Sequence, residues 1–216
     1  MRRGDHWWIL LTAVAAVIGV SQAASAKTFT ALSGRPVAVP DRDNVLDKPA
    51  TSPDGRLVSY VRAVGEPADK GDPQPAEVVL ADLMTGKTKV LVPAGVGTEW
   101  YLRPIVRVTF AEDGKHIFAE RTYPGTSSSV HEIDLATGKE RQLGWGVDIA
   151  VLRDGPWRGD LIMGVHTCYR NHPGCDYPVH VVTPLGKSVY VVPERYGSEG
   201  VSGVQYWLSK RGWRAW

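Results

Sequence analysis

The chain has 216 residues and a near-neutral charge balance, with 25 Lys and Arg against 23 Asp and Glu and a formal net charge of +2. This balance argues against nucleic acid or an anionic membrane surface as a partner, because both attract strongly basic proteins. The 23 Gly and 15 Pro, with abundant Val, Thr, Tyr and Trp, are typical of strands and turns. Length and composition therefore predict one all-β domain with a proper core.

The N-terminal segment has the features of an export signal. Arg2 and Arg3 form a short basic start, residues 9–20 are apolar, and residues 24–26 have the A-x-A pattern of a cleavage site. We therefore expect a signal peptide over residues 1–26 and a protein that is periplasmic or secreted.

Cleavage after Ala26 would leave one domain over residues 27–216, with no further membrane span. An uncleaved anchor is the alternative, because residues 7–26 are mostly apolar and about long enough to cross a bilayer. The polar Ser21 and Gln22 near the end of that segment favour cleavage.

Residues 28–32 and 36–39 have the composition of strands and precede a turn motif that occurs twice. The motif reads S-P-D-G over residues 52–55 and A-E-D-G over residues 111–114. Asp bonds the backbone of such a turn, and Gly adopts its left-handed position. Alternating apolar residues follow each copy, so each turn is expected to lead into a half-buried strand.

A second repeated motif marks another tight turn. D-L-M-T-G-K over residues 82–87 recurs as D-L-A-T-G-K over residues 134–139, and T-P-L-G-K over residues 183–187 is a degenerate third copy. Asp and Thr can bond the turn backbone, while Gly supplies the positive φ of a hairpin. Each copy lies between two short strand-like segments.

The two motifs together define a repeating unit of four antiparallel strands, over residues 46–92, 105–143 and 147–192. Four strands in forty-odd residues are typical of a propeller blade. We therefore predict a small or incomplete β-propeller of about three to four blades. Residues 201–208 also resemble a strand; if they share a sheet with the N-terminal strands, a fourth blade closes the ring, and otherwise the domain is an open arc with exposed edges.

The S-P-D-G and D-L-x-T-G-K turns resemble the WD40-like β-propeller repeat of TolB-type periplasmic proteins. They also resemble the N-terminal propellers of prolyl-oligopeptidase-like peptidases. The resemblance implies a propeller fold and a periplasmic setting. In the peptidases the catalytic triad belongs to a separate α/β domain, which we expect to be absent from this chain.

The third unit contains the pattern H-x-C-x₃-H-x₂-C over residues 166–175. Two cysteines in one loop of an exported protein predict a disulfide between Cys168 and Cys175. Two His and two Cys also invite a zinc interpretation, but their spacing matches no common zinc motif. Free thiols are the remaining alternative, and we predict neither a metal nor a cofactor.

Two segments carry candidate binding residues. Tyr and Arg in a stapled loop suit recognition, and the basic, aromatic C-terminus could contact another molecule. The alternatives are a loop that only covers the sheet and aromatic side chains that fill wedges between blades. The candidates are Tyr169, Arg170, His172 and Tyr177 in the loop, and Trp213 and Trp216 in the C-terminal segment.

The sequence contains no recognisable catalytic motif. G-x-S-x-G, P-loop, H-E-x-x-H, EF-hand and dinucleotide patterns are all missing from it. We expect a non-enzymatic interaction or scaffold protein that binds another envelope protein. The alternative is a binding protein for a cell-wall sugar or peptide, and a hydrolase is the third candidate.

Overall fold

The computed structural model describes residues 26–30, 36–40, 43–67, 74–95, 104–122, 128–168, 175–197 and 200–215. The predicted signal peptide lies outside these ranges except for its last residue. Within them, no helix is both long and apolar enough to cross a bilayer. The described chain consists mainly of antiparallel strands, which confirms the predicted all-β class.

A separate hairpin precedes the first unit. It consists of β1 (Ala26–Thr30) and β2 (Pro36–Pro40), paired with each other in antiparallel register. Neither strand is hydrogen-bonded to any other strand in the part of the chain that the structure describes.

The first unit is an antiparallel sheet whose first position is divided between two short strands. Both of these pair with the second strand, which pairs with the third, and the third pairs with the outermost one. In chain order the strands are β3 (Asn44–Val45), β4 (Ala50–Thr51), β5 (Leu57–Ala63), β6 (Ala76–Asp82) and β7 (Thr88–Val92).

The second and third units have four strands each and share one of them. The strands of the second unit are β8 (Ile105–Phe110), β9 (His116–Thr122), β10 (Ser128–Asp134) and β11 (Glu140–Val151). The first half of β11 pairs with β10 and the second half pairs with the next strand, β12 (Leu161–Val165). The outer strand of one unit is therefore continuous with the first strand of the next.

Three further pairs of elements complete the chain. The third unit ends with β15 (Val179–Val182) and β16 (Ser188–Val191), which follow a two-residue ribbon made of β13 (Thr167–Cys168) and β14 (Cys175–Asp176). Two helices follow, α1 (Glu194–Gly197) and α2 (Gly200–Ser209).

The repeated turns form as the sequence predicts. In the S-P-D-G turn, the Ser52 hydroxyl accepts a hydrogen bond from the Leu57 amide at 2.8 Å, and the Asp54 carboxylate accepts one from the Arg56 amide at 3.0 Å. In the D-L-x-T-G-K turn, the Asp134 carboxylate accepts hydrogen bonds from both the amide and the hydroxyl of Thr137, each at 2.7 Å. Side-chain bonds to the local backbone therefore fix the geometry of both turns.

The glycine of the second turn also permits contact between units. Gly138 has φ of 70°, and a β-carbon there would lie 3.1 Å from the carbonyl oxygen of Leu91 on the outer strand of the first unit. Gly186 has φ of 85°, and a β-carbon there would lie 2.6 Å from the carbonyl oxygen of Leu143 on β11. These two turns therefore pack against the outer strand of the preceding unit, which a larger residue would prevent, whereas Gly86 of the first copy has no such neighbour.

Alternating side chains divide each sheet between two cores. On β6, Val78 and Leu80 face the core between the first and second units, while Val79 faces the opposite core. On β12, Leu161 packs towards the second unit and Ile162 packs in the other direction. Because side chains alternate along a strand, every unit has two apolar faces to bury.

The N-terminal hairpin covers the outer face of the first unit. Val37 and Val39 of β2 are buried against Val58, Tyr60 and Val79. The hairpin therefore occupies the place that a preceding blade would take in a longer propeller.

Helix α2 covers the far face of the third unit, and the prediction of a strand over residues 201–208 is wrong. Val204, Trp207 and Leu208 recur at helical spacing and pack on β12 and β15. Ala215 also forms a bridge with Leu152. The terminal segments consequently share no sheet among the described residues, so the three units form the open arc, the second of the two arrangements that the sequence left open.

Helix α2 should contribute strongly to stability, because Trp207 is fully buried against the third unit whereas its neighbour Tyr206 is half exposed. We expect Trp207→Ala to lower the free energy of unfolding by about 3–5 kcal/mol. Tyr206→Ala, the matched control, should lower it by less than about 1 kcal/mol. Urea unfolding followed by circular dichroism measures both, and equal losses would contradict the role of α2 as a cap.

Candidate functional site

The residues predicted for binding divide into two groups. Tyr177 and Trp213 belong to the described part of the chain, and the contacts of each are given below. Tyr169, Arg170, His172 and Trp216 lie outside the described residues, and their roles stay predictions.

The loop of the third unit is closed at its base by the predicted disulfide. Cys168 on β13 and Cys175 on β14 are register partners and are bonded to each other. The Nε2 atom of His166 lies 3.1 Å from the Cys168 sulfur. The His166 ring also stacks on Tyr177, with centroids 5.2 Å apart and planes 15° from parallel.

Gly164 allows this loop base to lie close to the sheet, and Gly146 allows β11 and β12 to approach each other closely. A β-carbon on Gly164 would lie 3.3 Å from the Tyr177 β-carbon, and one on Gly146 would lie 2.6 Å from the Gly164 carbonyl oxygen. The hydroxyl of Tyr177 is buried and has no hydrogen-bond partner among the residues that the structure describes. Tyr177 therefore contributes packing at the loop base, and its binding role stays a prediction.

Trp213 belongs to an aromatic cluster between the third unit and helix α2. Its ring meets Trp157 edge-on at 5.5 Å and Trp207 edge-on at 5.9 Å. The guanidinium of Arg211 lies over both Trp207 and Trp213, at 4.7 and 5.8 Å from the ring centroids. Trp213 therefore fills the space between the third unit and α2, not a wedge between two blades, and its role in binding stays a prediction.

A charged cluster, which the sequence did not indicate, joins the first strands of all three units. Arg107 on β8 bonds Asp47, between β3 and β4, at 3.0 Å and Asp148 on β11 at 2.7 Å. The carboxylate of Glu120 lies 3.6 Å from the same guanidinium. Three carboxylates therefore surround one cation, an arrangement that could attract a further positive group.

Two residues of this cluster have unusual properties, Asp148 in its backbone conformation and Glu120 in its pKa. Asp148 has φ of 56°, at the irregularity where β11 changes its register with β12. Its amide donates to Glu120 at 3.1 Å. Burial raises the pKa of Glu120 above its ordinary value, and Arg107 opposes that effect only in part.

A second polar network is buried between the first and second units. The Ser129 hydroxyl lies 2.7 Å from His131 Nε2, and His131 Nδ1 lies 2.8 Å from Glu140. Arg121 donates two hydrogen bonds to the same carboxylate, at 2.5 and 2.6 Å. Strand β10 thus supplies the hydroxyl and the imidazole, β11 supplies the carboxylate, and β9 supplies the guanidinium.

The order hydroxyl, imidazole, carboxylate is that of a nucleophile with its base and orienting acid. Here, however, Ser129 is 3% exposed and His131 is 0% exposed, so neither atom of the reacting pair meets solvent. Arg121 also neutralises the carboxylate that would stabilise a charged imidazole. These features suit a structural network that satisfies buried polar groups.

The outer strand of the third unit presents exposed apolar side chains. Val189 and Val191 are 43% and 53% exposed, and Leu185 in the preceding turn is 81% exposed. Strand β16 pairs with β15 on one side, and none of the described strands pairs with its other edge. We call Leu185, Val189 and Val191 the β16 patch.

Searches against protein families and curated proteins find no match for this chain. Solved structures do match it. TolB from Acinetobacter baumannii is 19% identical, with a TM-score of 0.46, over 77% of this chain and 40% of that chain. The β-propeller domain of the Trilobed protease from Pyrococcus furiosus is 15% identical, with a TM-score of 0.43, over 68% of this chain and 42% of that chain.

A third match is the acylaminoacyl peptidase of Pyrococcus horikoshii, which is 14% identical with a TM-score of 0.44, over 74% of this chain and 26% of that chain. The chain spans less than half the length of each of these three proteins. The structures to which this chain is similar are thus a TolB, the propeller domain of a protease, and a peptidase.

The Arg121–Glu140 pair should make stability depend on pH. Burial would raise the pKa of Glu140, but Arg121 and His131 outweigh it and lower that pKa from 4.5 to about 2. The stabilisation is therefore complete above pH 4.5 and is lost as the pH falls towards 2. We expect Glu140→Gln to remove about 2 kcal/mol at pH 7, allowing for solvent screening, and to flatten this acid dependence.

Urea unfolding at pH 7 and at pH 3 measures both effects. The matched control is Glu132→Gln, which removes a more exposed ion pair to Arg141 and should change stability by less than about 1 kcal/mol. An acid dependence that is the same in Glu140→Gln and in the unmodified protein would contradict the assignment.

The disulfide should stabilise the third unit. Closing a loop between residues seven apart contributes about 2 kcal/mol on the chain-entropy argument. We expect a reductant to lower the melting temperature of the unmodified protein in the presence of a chelator. The double variant Cys168→Ser, Cys175→Ser should melt at that lower temperature with or without reductant, and a reductant-insensitive unmodified protein would refute the staple.

Proposed function

We propose that this protein is a non-enzymatic interaction protein of the bacterial periplasm, which binds another envelope protein through the β16 patch. The three-unit arc acts as a rigid scaffold, and the partner contributes an extended apolar segment beside β16. The predicted export signal and the resemblance of the turn motifs to TolB-type repeats support the location.

The exposure of the β16 patch is the observation on which this proposal rests. An outer strand with an unpaired edge can accept a strand from a partner, which gains main-chain hydrogen bonds and pockets for alternate side chains. Val189 and Val191 flank Tyr190, which packs against the core beneath α2, and both valines are exposed. Both would therefore contact the same partner surface, although the register with β15 shifts between Ser188 and Tyr190. The near-neutral charge of the chain is compatible with an apolar contact of this kind.

Two alternatives have less support. A sugar site requires exposed aromatic rings that lie parallel. The rings of Trp157 and Trp207 are nearly parallel, at 15°, but Trp207 is fully buried between α2 and the third unit. A hydrolase requires an accessible nucleophile, whereas Ser129 is covered. The arrangement of polar groups is therefore better explained by structural roles than by catalysis.

Site-specific crosslinking in living cells tests the proposal. A photoreactive amino acid at Val189 should capture one defined envelope protein on irradiation, because that side chain would lie inside the interface. The matched control is the same amino acid at Val90, a 45% exposed residue on the outer strand of the first unit.

Val191→Lys should abolish the crosslink from position 189, because a charge would be buried in an apolar contact. Melting curves of the variants check that the fold is kept. Absence of any crosslink from position 189, or the same products from positions 189 and 90, would overturn the assignment of this surface.

A further inference from the structure

We propose that the base of the disulfide loop becomes a zinc site when the Cys168–Cys175 bond is reduced, with His166 as the third protein ligand. This site is distinct from the β16 patch and does not depend on the function proposed above. In the oxidised protein the same residues form the staple.

The donor atoms are already gathered at one place. One nitrogen of His166 and the sulfurs of Cys168 and Cys175 all lie within 4.8 Å of one another. The Nε2 atom of His166 lies 3.1 Å from the Cys168 sulfur. Zinc binds thiolate at about 2.3 Å and imidazole at about 2.0 Å, so small side-chain rotations bring all three atoms to one metal ion.

The backbone supports such a site without the sulfur–sulfur bond. Cys168 and Cys175 face each other across the β13–β14 ribbon, so the two sulfurs remain neighbours after reduction. In a tetrahedral site they would move apart to about 3.7 Å, as zinc–thiolate distances require. His166 is held by its stacking contact with Tyr177, which orients the imidazole towards the sulfurs.

The donor set selects the kind of metal. Two thiolates and one imidazole are soft or borderline ligands that suit zinc and exclude Mg²⁺ or Ca²⁺. Three protein ligands leave a fourth position of the tetrahedron for water. The alternative is a disulfide with a structural role only. It predicts no metal affinity in either the oxidised or the reduced protein.

A dithiol can reduce this bond by thiol–disulfide exchange, and Cys168 is the more exposed of the two cysteines. A thiolate of the reductant attacks the Cys168 sulfur, and Cys175 leaves as a thiolate. The second thiol of the reductant then displaces Cys168, so the protein gains two electrons and two protons while the reductant becomes a disulfide. Zn²⁺ next replaces the two thiol protons, which are released to solvent.

Titration of the full-length protein without a histidine tag tests the site. The phosphine-reduced protein should bind one equivalent of Co²⁺, a spectroscopic substitute for zinc, with the near-ultraviolet bands of thiolate–cobalt charge transfer. Zn²⁺ should displace the Co²⁺ and abolish those bands. The oxidised protein should show no bands.

Variants separate the ligands from the surroundings. Cys168→Ser and Cys175→Ser should lose the bands, and His166→Gln should weaken zinc affinity at least about tenfold. His180→Gln, a control in the same unit, should leave the affinity unchanged. Circular dichroism checks that each variant is folded.

Three results would overturn the proposal. The first is a reduced protein without thiolate–cobalt bands, and the second is equal binding by the oxidised and reduced proteins. The third is a His166→Gln variant with unchanged zinc affinity, since the imidazole would then not be a ligand.

Discussion

The fold depends on one constraint, which is that each sheet of the arc has two apolar faces and both must be buried. Val78 and Val79 are neighbours on β6 and enter different cores, as strand geometry requires. A closed propeller meets this need with further blades. Here the hairpin carrying Val37 and Val39 covers one end, and α2 with Trp207 covers the other. The caps resemble those of other stacked repeats, where the terminal elements differ from the units they cover.

The same stacking buries polar groups on the faces of the sheets. Arg121 and Glu140 lie at the junction of the first and second units, where burial makes every unmade hydrogen bond costly. Arg107 holds carboxylates that come from all three units. The contacts of Arg107 therefore join the three units to one another.

Structures that depend on neighbouring residues could be predicted from the sequence, whereas contacts between residues far apart in the sequence could not. The turns at residues 52–55 and 134–139 form as expected because Asp54, Thr137 and their neighbours bond their own backbone. Helix α2 was missed because its apolar residues cover fewer than three turns. The Ser129–His131–Glu140 chain was also missed, since Glu140 reaches its partners only through the pairing of β10 with β11. Pairing of that kind has no signal in a single sequence.

Hydrogen–deuterium exchange in a variant with an uncovered end sheet tests the central claim most directly. The double variant Val37→Asp, Val39→Asp places charges where the hairpin meets the first unit. If the cap completes the core, amide protection should fall in β5 and β6 while β12 and β15 stay protected. Unchanged protection of β5 and β6 would contradict the claim, because the first unit would then be stable without its cover.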